Sequence, residues 1–204
     1  MNFPVIPQRM ALINCTIQNM FVESPNQNRL ALVERINHFA AICRIAGVLV
    51  IHTRQVVRAD GTNTGVLAEI YPPMREVLNR DAPTAAFHPR LVVADGDILL
   101  EIPRYGAFHA TDLELILRAR GIDSLVLTGI ASNVGPETTA REAVSRDFRV
   151  FFLSDGTLAT GLGGLTAEEA QRASLATLGA LFAQVLSMDE MIEKIQRATA
   201  DAAA

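Results

Sequence analysis

A chain of 204 residues, half of them hydrophobic, is long enough for one sizeable α/β domain and large for a simple sandwich. Its net charge of −4 argues against a nucleic-acid-binding or anionic-membrane surface, and its basic side is almost all arginine, Lys194 being the only lysine. Two cysteines, Cys15 and Cys43, are too few for a disulfide framework and have no zinc-ligand spacing with histidine.

The opening residues Met1-Asn-Phe-Pro4 show no basic region followed by an apolar run, so no signal peptide is expected. No apolar stretch approaches the length of a membrane span. The expectation is a soluble, cytoplasmic protein with no metal or cofactor and with neither nucleic acid nor membrane as a partner.

In chain order, Arg9-Met-Ala-Leu-Ile-Asn-Cys15 reads as a first, central strand, followed by a polar turn over Glu23–Asn26. From Asn28 the residues Leu32, Val33, Ile36, Phe39, Ala40 and Cys43 recur at helical spacing up to a stop at Gly47. Val48–Thr53 is a second strand, apolar enough to lie between helices on both faces. Residues 54–94 carry six Gly and Pro punctuators and predict surface loops, with one short helix around Met74–Leu78. A loop segment this long in a compact domain often serves as a lid or an oligomer contact.

Asp97–Glu101 is a third strand, and Asp112–Arg118 a helix capped at Thr111 and closed by Gly121. Leu125–Leu127 is a fourth strand that runs into a tight turn. Pro136 suits the first helical position after that turn, with Gly135 as cap. Such a helix start points unpaired N–H groups and the positive end of a dipole into the space above the sheet, where an anion or oxyanion is stabilised. Val150–Leu153 is a fifth strand. Thr166-Ala-Glu-Glu169 is a capping box opening a helix to about Gln184, and a last helix from Ser187 frays from about residue 197. There is no internal repeat and no domain boundary, so residues 1–204 form one domain.

Strands alternating with helices predict a three-layer, doubly wound parallel sheet, with ligands bound beyond the carboxyl ends of the strands. Residues 16–21, 52–55, 102–108 and 130–137 then share one crevice. Its ionisable groups are few: His52, Arg54, Arg104, Glu137 and His109. No pair among them reads as a nucleophile with its base.

Arg104-Tyr-Gly-Ala-Phe108 with Thr111-Asp-Leu113, then Arg120 to Val134, and Ala11-Leu-Ile13 with Gln18, Asn19 and Phe21, together resemble the isochorismatase-like (cysteine hydrolase) superfamily. The resemblance spans nearly the whole chain and keeps three separated motifs in order. It implies a six-stranded parallel sheet of Rossmann-like topology, dimers or tetramers, hydrolysis of small amides, ureides or a vinyl ether, and a non-proline cis peptide, here Ile130–Ala131. It also implies a pocket walled by Gln18, Phe21, Arg54, Gln55, Arg104, Tyr105, Phe108, Ile130 and Ala131.

Carried over residue by residue, the resemblance puts Thr16 at the position of the family's catalytic Asp, Ile102 at its Lys and Gly135 at its nucleophilic Cys. Lys194 belongs to the last helix and is no replacement. Cys15 adjoins Thr16, but strand alternation turns it to the other face. The isochorismate-cleaving branch also has Gly at the Cys position and a pocket glutamine matching Gln55, yet it needs the Asp to deliver a proton. The metal-binding nicotinamidase branch needs an Asp two residues before a His after the second strand, and no such pair stands there. Gly161-Leu-Gly-Gly164 lacks the spacing of a dinucleotide-binding loop.

Several residues stay open to two readings. His52 is either a pocket acid or base or a histidine held in a structural hydrogen bond. Arg54 and Arg104 either clamp a carboxylate or form structural salt bridges. Glu137 either acts as a base or complements the helix dipole. The resulting expectation is an isochorismatase-like hydrolase with altered, thiol-independent or lost activity. The alternative is a non-catalytic relative that binds a small molecule or serves as an oligomer partner.

Overall fold

The computed structural model describes residues 1–23 and 29–203. The expected turn beyond Glu23 and the expected helix start at Asn28 fall outside the described residues. The apolar runs become β1 (Met10–Cys15), β2 (Leu49–Gln55), β3 (Ile98–Ile102), β4 (Ser124–Ile130), β5 (Arg149–Leu158) and β6 (Gln184–Leu186). They form one sheet in the order β3-β2-β1-β4-β5-β6, with every pairing parallel. The helices are α1 (Asn19–Val22), α2 (Arg29–Ile45), α3 (Leu67–Ile70), α4 (Met74–Val77), α5 (Leu113–Ala119), α6 (Gly135–Val144), α7 (Ala167–Leu181) and α8 (Met188–Ala203).

Alternation along the strands sorts the core into two layers. Met10 and Leu12 of β1 pack with Leu32, Ile36 and Phe39 of α2 and with Met191 and Ile195 of α8. Ala11, Ile13 and Cys15 face the opposite layer, which holds Leu113 and Leu117 of α5, Ala140 and Ala143 of α6 and Leu178 of α7. Phe39, Phe151 and Phe152 are completely buried, and truncating any one to alanine typically costs about 3–5 kcal/mol. The six apolar residues read at helical spacing along α2 all lie on its buried face.

The chain winds outward from β1 to β3, then crosses back and continues on the other side from β4. β1 and β4 are therefore the strands between which the winding reverses, and in such sheets a crevice opens beyond their carboxyl ends. Here the two backbones come unusually close. A Cβ built on Gly129 would lie 2.1 Å from the Cys15 carbonyl oxygen, and Gly129 has a φ of +118°. Thr16 also leaves β1 with a positive φ of 50°, and its hydroxyl donates to the Ile130 carbonyl across the gap.

Several element ends differ from the sequence expectation. β2 runs two residues past Thr53 because Arg54 and Gln55 pair in register with Glu101 and Ile102, and Arg54 ion-pairs with Glu101 at 2.5 Å. β4 continues to Ile130 and β5 to Leu158, and these extra residues pair with each other after a bulge. α7 stops at Leu181, because Gln184–Leu186 is claimed by β5 as a short edge strand, too brief to show alternation. α6 starts at Gly135 with Val134 as its cap residue, so Pro136 sits one position deeper than expected. α5 begins at Leu113, whose N–H reaches the Thr111 hydroxyl at 3.3 Å. The capping box at Thr166–Glu169 forms reciprocally, and α8 continues through Ala203. A second reciprocal pair, Ser187 with Glu190, opens α8.

Gly129→Ala tests the close approach. It forces a side chain into backbone at a positive φ, and the expected loss is about 2–4 kcal/mol of unfolding free energy in urea titration. A loss under about 1 kcal/mol would show that the two strand ends have room to separate.

Candidate active site

Beyond β1 and β4 lies a cavity of about 350 Å³. Its floor is the strand ends: Thr16, Gln55, Ile130 and Ala131, the peptide between the last two being cis as the resemblance implied. Gly135, at the start of α6, closes one side. The opposite wall is apolar and comes from α1 and from the long segment after β2: Met20, Phe21, Tyr71, Met74 and Leu78. Met20, Phe21, Met74 and Leu78, with Val57, Leu67 and Tyr105, form a small hydrophobic cluster beside the two main layers. The segment expected to be loop or lid is therefore a packed wall.

Three hydrogen-bonded supports fix the wall and floor. The buried Gln18 side chain donates to the Gln55 and Ala85 carbonyls at 3.0 and 2.8 Å and accepts from the Gln55 N–H at 2.7 Å. Arg104 donates to the carbonyls of Asn63 and Pro103 at 2.9 and 2.8 Å. The loop carrying Tyr105 is anchored to α6, where Thr139 accepts from the Ala107 N–H and Glu142 from the Phe108 N–H, both at 3.1 Å. That anchor brings the Tyr105 carbonyl within 3.3 Å of where a Cβ on Gly135 would stand, with the Thr16 hydroxyl 3.9 Å from the same point. Positions 16, 105 and 135 thus converge, although they lie far apart in sequence.

The expected pocket residues divide accordingly. Thr16, Phe21, Gln55, Tyr105, Ile130, Ala131 and Gly135 line the cavity. Gln18 and Arg104 act behind it as supports. Arg54 sits within β2, is held by Glu101 and does not line the cavity. Phe108 is buried in the layer of α5 and α6, against Phe148. Ile102 ends β3 in the same layer and is buried there.

His52 and Glu137 are not part of the cavity lining among the described residues. His52 lies inside β2 and is fully buried; one ring nitrogen meets the Asn14 amide at 3.2 Å and the other the Asp97 carboxylate at 3.0 Å. Arg44 grips Asp97 with two bonds, and Thr128 donates to Asn14, so the row runs from β4 across β1 and β2 to the surface. Glu137 is committed to Arg141 and to the Ser174 hydroxyl, neither of which lines the cavity. Both side chains are held by neighbouring residues and neither meets the cavity. Cys15 faces the α6 layer as alternation required, and burial pushes its thiol up to about 12, which leaves it unreactive.

The expected row of unpaired N–H groups at the helix start is shorter than foreseen. Val134 donates to the Ala131 carbonyl and Glu137 to the Ser132 carbonyl, and Pro136 has no N–H. Among the described residues no acceptor meets the Gly135 N–H. The structure also adds residues to the site that lie outside the four expected crevice segments, among them Arg29, Thr160 and Leu162. Arg29 opens α2 beside the undescribed stretch. It is buried, donates to the Phe21 carbonyl, and burial lowers its pKa. An arginine at a helix start carries no pattern that marks it as a cavity residue, since the dipole favours acids there.

Among the described residues no cluster of three or more His, Cys, Asp or Glu side chains is gathered as a metal site would require, and no helix is long and apolar enough to cross a membrane.

Comparison with known proteins agrees with this geometry. The family model for the isochorismatase domain matches residues 10–190. The ureidoacrylate amidohydrolase RutB of Klebsiella variicola is 30% identical over 95% of this chain and 89% of its own length. The isochorismatase family protein YwoC of Bacillus subtilis is 49% identical, over 35% of this chain and 38% of its own. The crystal structure of a cysteine hydrolase from Pseudomonas syringae pv. phaseolicola superposes with a TM-score of 0.90, at 33% identity and 97% coverage of both chains. The chain belongs to the isochorismatase-like superfamily.

The buried row around His52 gives the fold a defined acid response. Burial holds the His52 pKa below its ordinary 6.5, outweighing the pull of Asp97. Burial would raise Asp97, but bonds from Arg44, the Ala94 N–H and His52 take it below 3.8 instead. In both cases the unfolded chain takes up the proton first, so this stability is complete above pH 6.5 and drains as pH falls, first through His52 and then, below 3.8, through Asp97. One such group contributes at most about 1.4 kcal/mol per pH unit. Urea titrations at pH 7.5 and 5.5 should show the wild type losing on the order of 1 kcal/mol. His52→Asn should flatten that difference; an equal loss in the variant would assign the acid response to other groups.

Proposed function

We propose that this protein binds a small metabolite in the cavity above Thr16 and Gly135 and does not hydrolyse it by the thiol chemistry of its superfamily. Thr16, Ile102 and Gly135 occupy the positions of the catalytic Asp, Lys and Cys, and none of them supplies an equivalent group. The observation that carries this reading is the chemistry of the lining. Among its described residues stand no carboxylic acid, imidazole, amine or thiol, and the ionisable ones are Arg29, Tyr71 and Tyr105.

General acid–base catalysis works best with a group that titrates near the working pH, which a guanidinium or a phenol as a side-chain type does not. The Thr16 hydroxyl is further committed as a donor to the Ile130 carbonyl. What is left is proximity and a backbone N–H. Residual effects of that kind amount to about 10³-fold over water, too little for useful turnover of a stable amide. The relatives' frame around the site persists, and with it a concave, mostly apolar pocket at the low end of the size range for small-molecule sites.

The test is incubation of the wild type with small amides, ureides and vinyl ethers, followed by mass spectrometry. The expected result is no consumption above the buffer control. Consumption that disappears in Glu137→Ala or His52→Ala would replace the binding reading with thiol-independent hydrolysis.

A further inference from the structure

We infer that the loop Gly161–Leu165 is a flap that closes the cavity by seating Leu162 on Tyr71. This rests on the reading of the cavity as a binding site and adds how that site is covered.

The cavity has a definite mouth. Of its described lining residues only Tyr71 and Leu162 are exposed, at 41% and 54%, and both are largely apolar. Neither belongs to the hydrophobic clusters of the fold. Ile70 beside Tyr71, and Leu165 beside Leu162, are exposed as well. Apolar surface on both lips of an apolar opening is out of place in water, and it is buried when the lips meet.

The two lips are built differently. Tyr71 belongs to the packed wall: its N–H is held by the Leu67 carbonyl at 2.8 Å, and its carbonyl accepts from the Met74 N–H at 3.0 Å. Leu67 and Met74 are themselves buried in the wall's cluster. The other lip is a turn on a fixed base. Asn133 Nδ2 donates to the Thr160 carbonyl at 3.0 Å, and Asn133 Oδ1 accepts from the Thr160 N–H at 3.1 Å. The Thr166–Glu169 capping box pins the far end.

Between these anchors residues 161–165 are all exposed, and the Leu165 N–H turns back onto the Leu162 carbonyl at 3.1 Å. Gly161 forms the neck, where a Cβ would lie 2.8 Å from the Leu165 carbonyl oxygen. Gly163 and Gly164 form the tip at φ +61° and +85°, and nothing stands within 4 Å of where their Cβ atoms would be. Pinned ends, glycine at neck and tip, and no packing against the tip let the turn swing as a unit at small cost, as loops that cover binding sites do. The glycine cluster that lacks the spacing of a dinucleotide-binding loop thus serves as a hinge.

Disulfide trapping tests the closed contact. The full chain carrying Leu162→Cys and Tyr71→Cys is incubated with oxidised glutathione at pH 8 and followed by intact mass. Two thiols bridge only when their Cα atoms come within about 7 Å. Cys15 and Cys43 stay silent, because burial pushes both thiols up to about 12. The internal disulfide should form about tenfold or more faster than in a control pair, Leu162→Cys with Leu181→Cys. The second site of that control ends α7, about 20 Å from the helix start. Deleting Gly163 and Gly164 removes about 7 Å of chain and should bring the first pair down to the control rate. Unfolding midpoints of the reduced variants, compared with the wild type, separate these effects from misfolding. A rate no faster than the control, or one unchanged by the deletion, overturns the flap and leaves the binding reading to its own assay. A bridge found only between two chains, at doubled mass, also overturns it and makes the two lips an interface between copies.

Discussion

The contact between the ends of β1 and β4 is the constraint on which the site depends. Gly129 allows the two backbones to approach within a distance no side chain would permit, and Thr16 bridges them through the Ile130 carbonyl. Because the winding of the sheet reverses between these two strands, nothing crosses above them, and a crevice opens there by topology alone. The turn after Ile130 then delivers Gly135 to within reach of Tyr105 and Thr16. Binding surface, turn and helix start all take their positions from that single crossing.

Much of this was legible in the sequence. Apolar runs alternating with helical periodicity specify a parallel sheet between two helical layers, and the faces of α2 and β1 were readable from spacing alone. The convergence of residues 16, 105 and 135 was carried by three ordered motifs. What was not legible depends on pairing between distant segments. His52 reads as the near-terminal residue of a strand and Arg54 as lying past its end, because Arg-Gln after an apolar run reads as a boundary. Their register with Leu99 and Glu101 keeps them inside it. Gln184–Leu186, between a helix read to about Gln184 and one read from Ser187, is too short to show a strand period, and only the edge of β5 makes it a strand.

The cavity wall was hidden for a related reason. Gly and Pro signals mark residues 54–94 as irregular, which is correct for the backbone, but irregular backbone does not mean an unpacked surface. Met74 and Leu78 bury themselves against Met20, Phe21 and Tyr105, and a parallel bridge between Val57 and Asn79 ties the segment back on itself. Arg29 escaped notice because its importance comes from burial beside α1, which no local pattern announces. Of the polar residues that draw notice in the sequence, His52 and Glu137 lie outside the cavity lining and are held by neighbouring side chains, whereas Arg29, which draws none, lines it. Burial and partners, more than residue type, separate the two.

The central claim is that the frame of a hydrolase is retained around a cavity without reagents. Installing Thr16→Asp, Ile102→Lys and Gly135→Cys together, and assaying small amides and ureides by ammonia release, tests it most directly. The account predicts no ammonia from the wild type and measurable release from the triple variant. Ammonia release by the wild type, undiminished when Thr16 and Gly135 are altered, would contradict it.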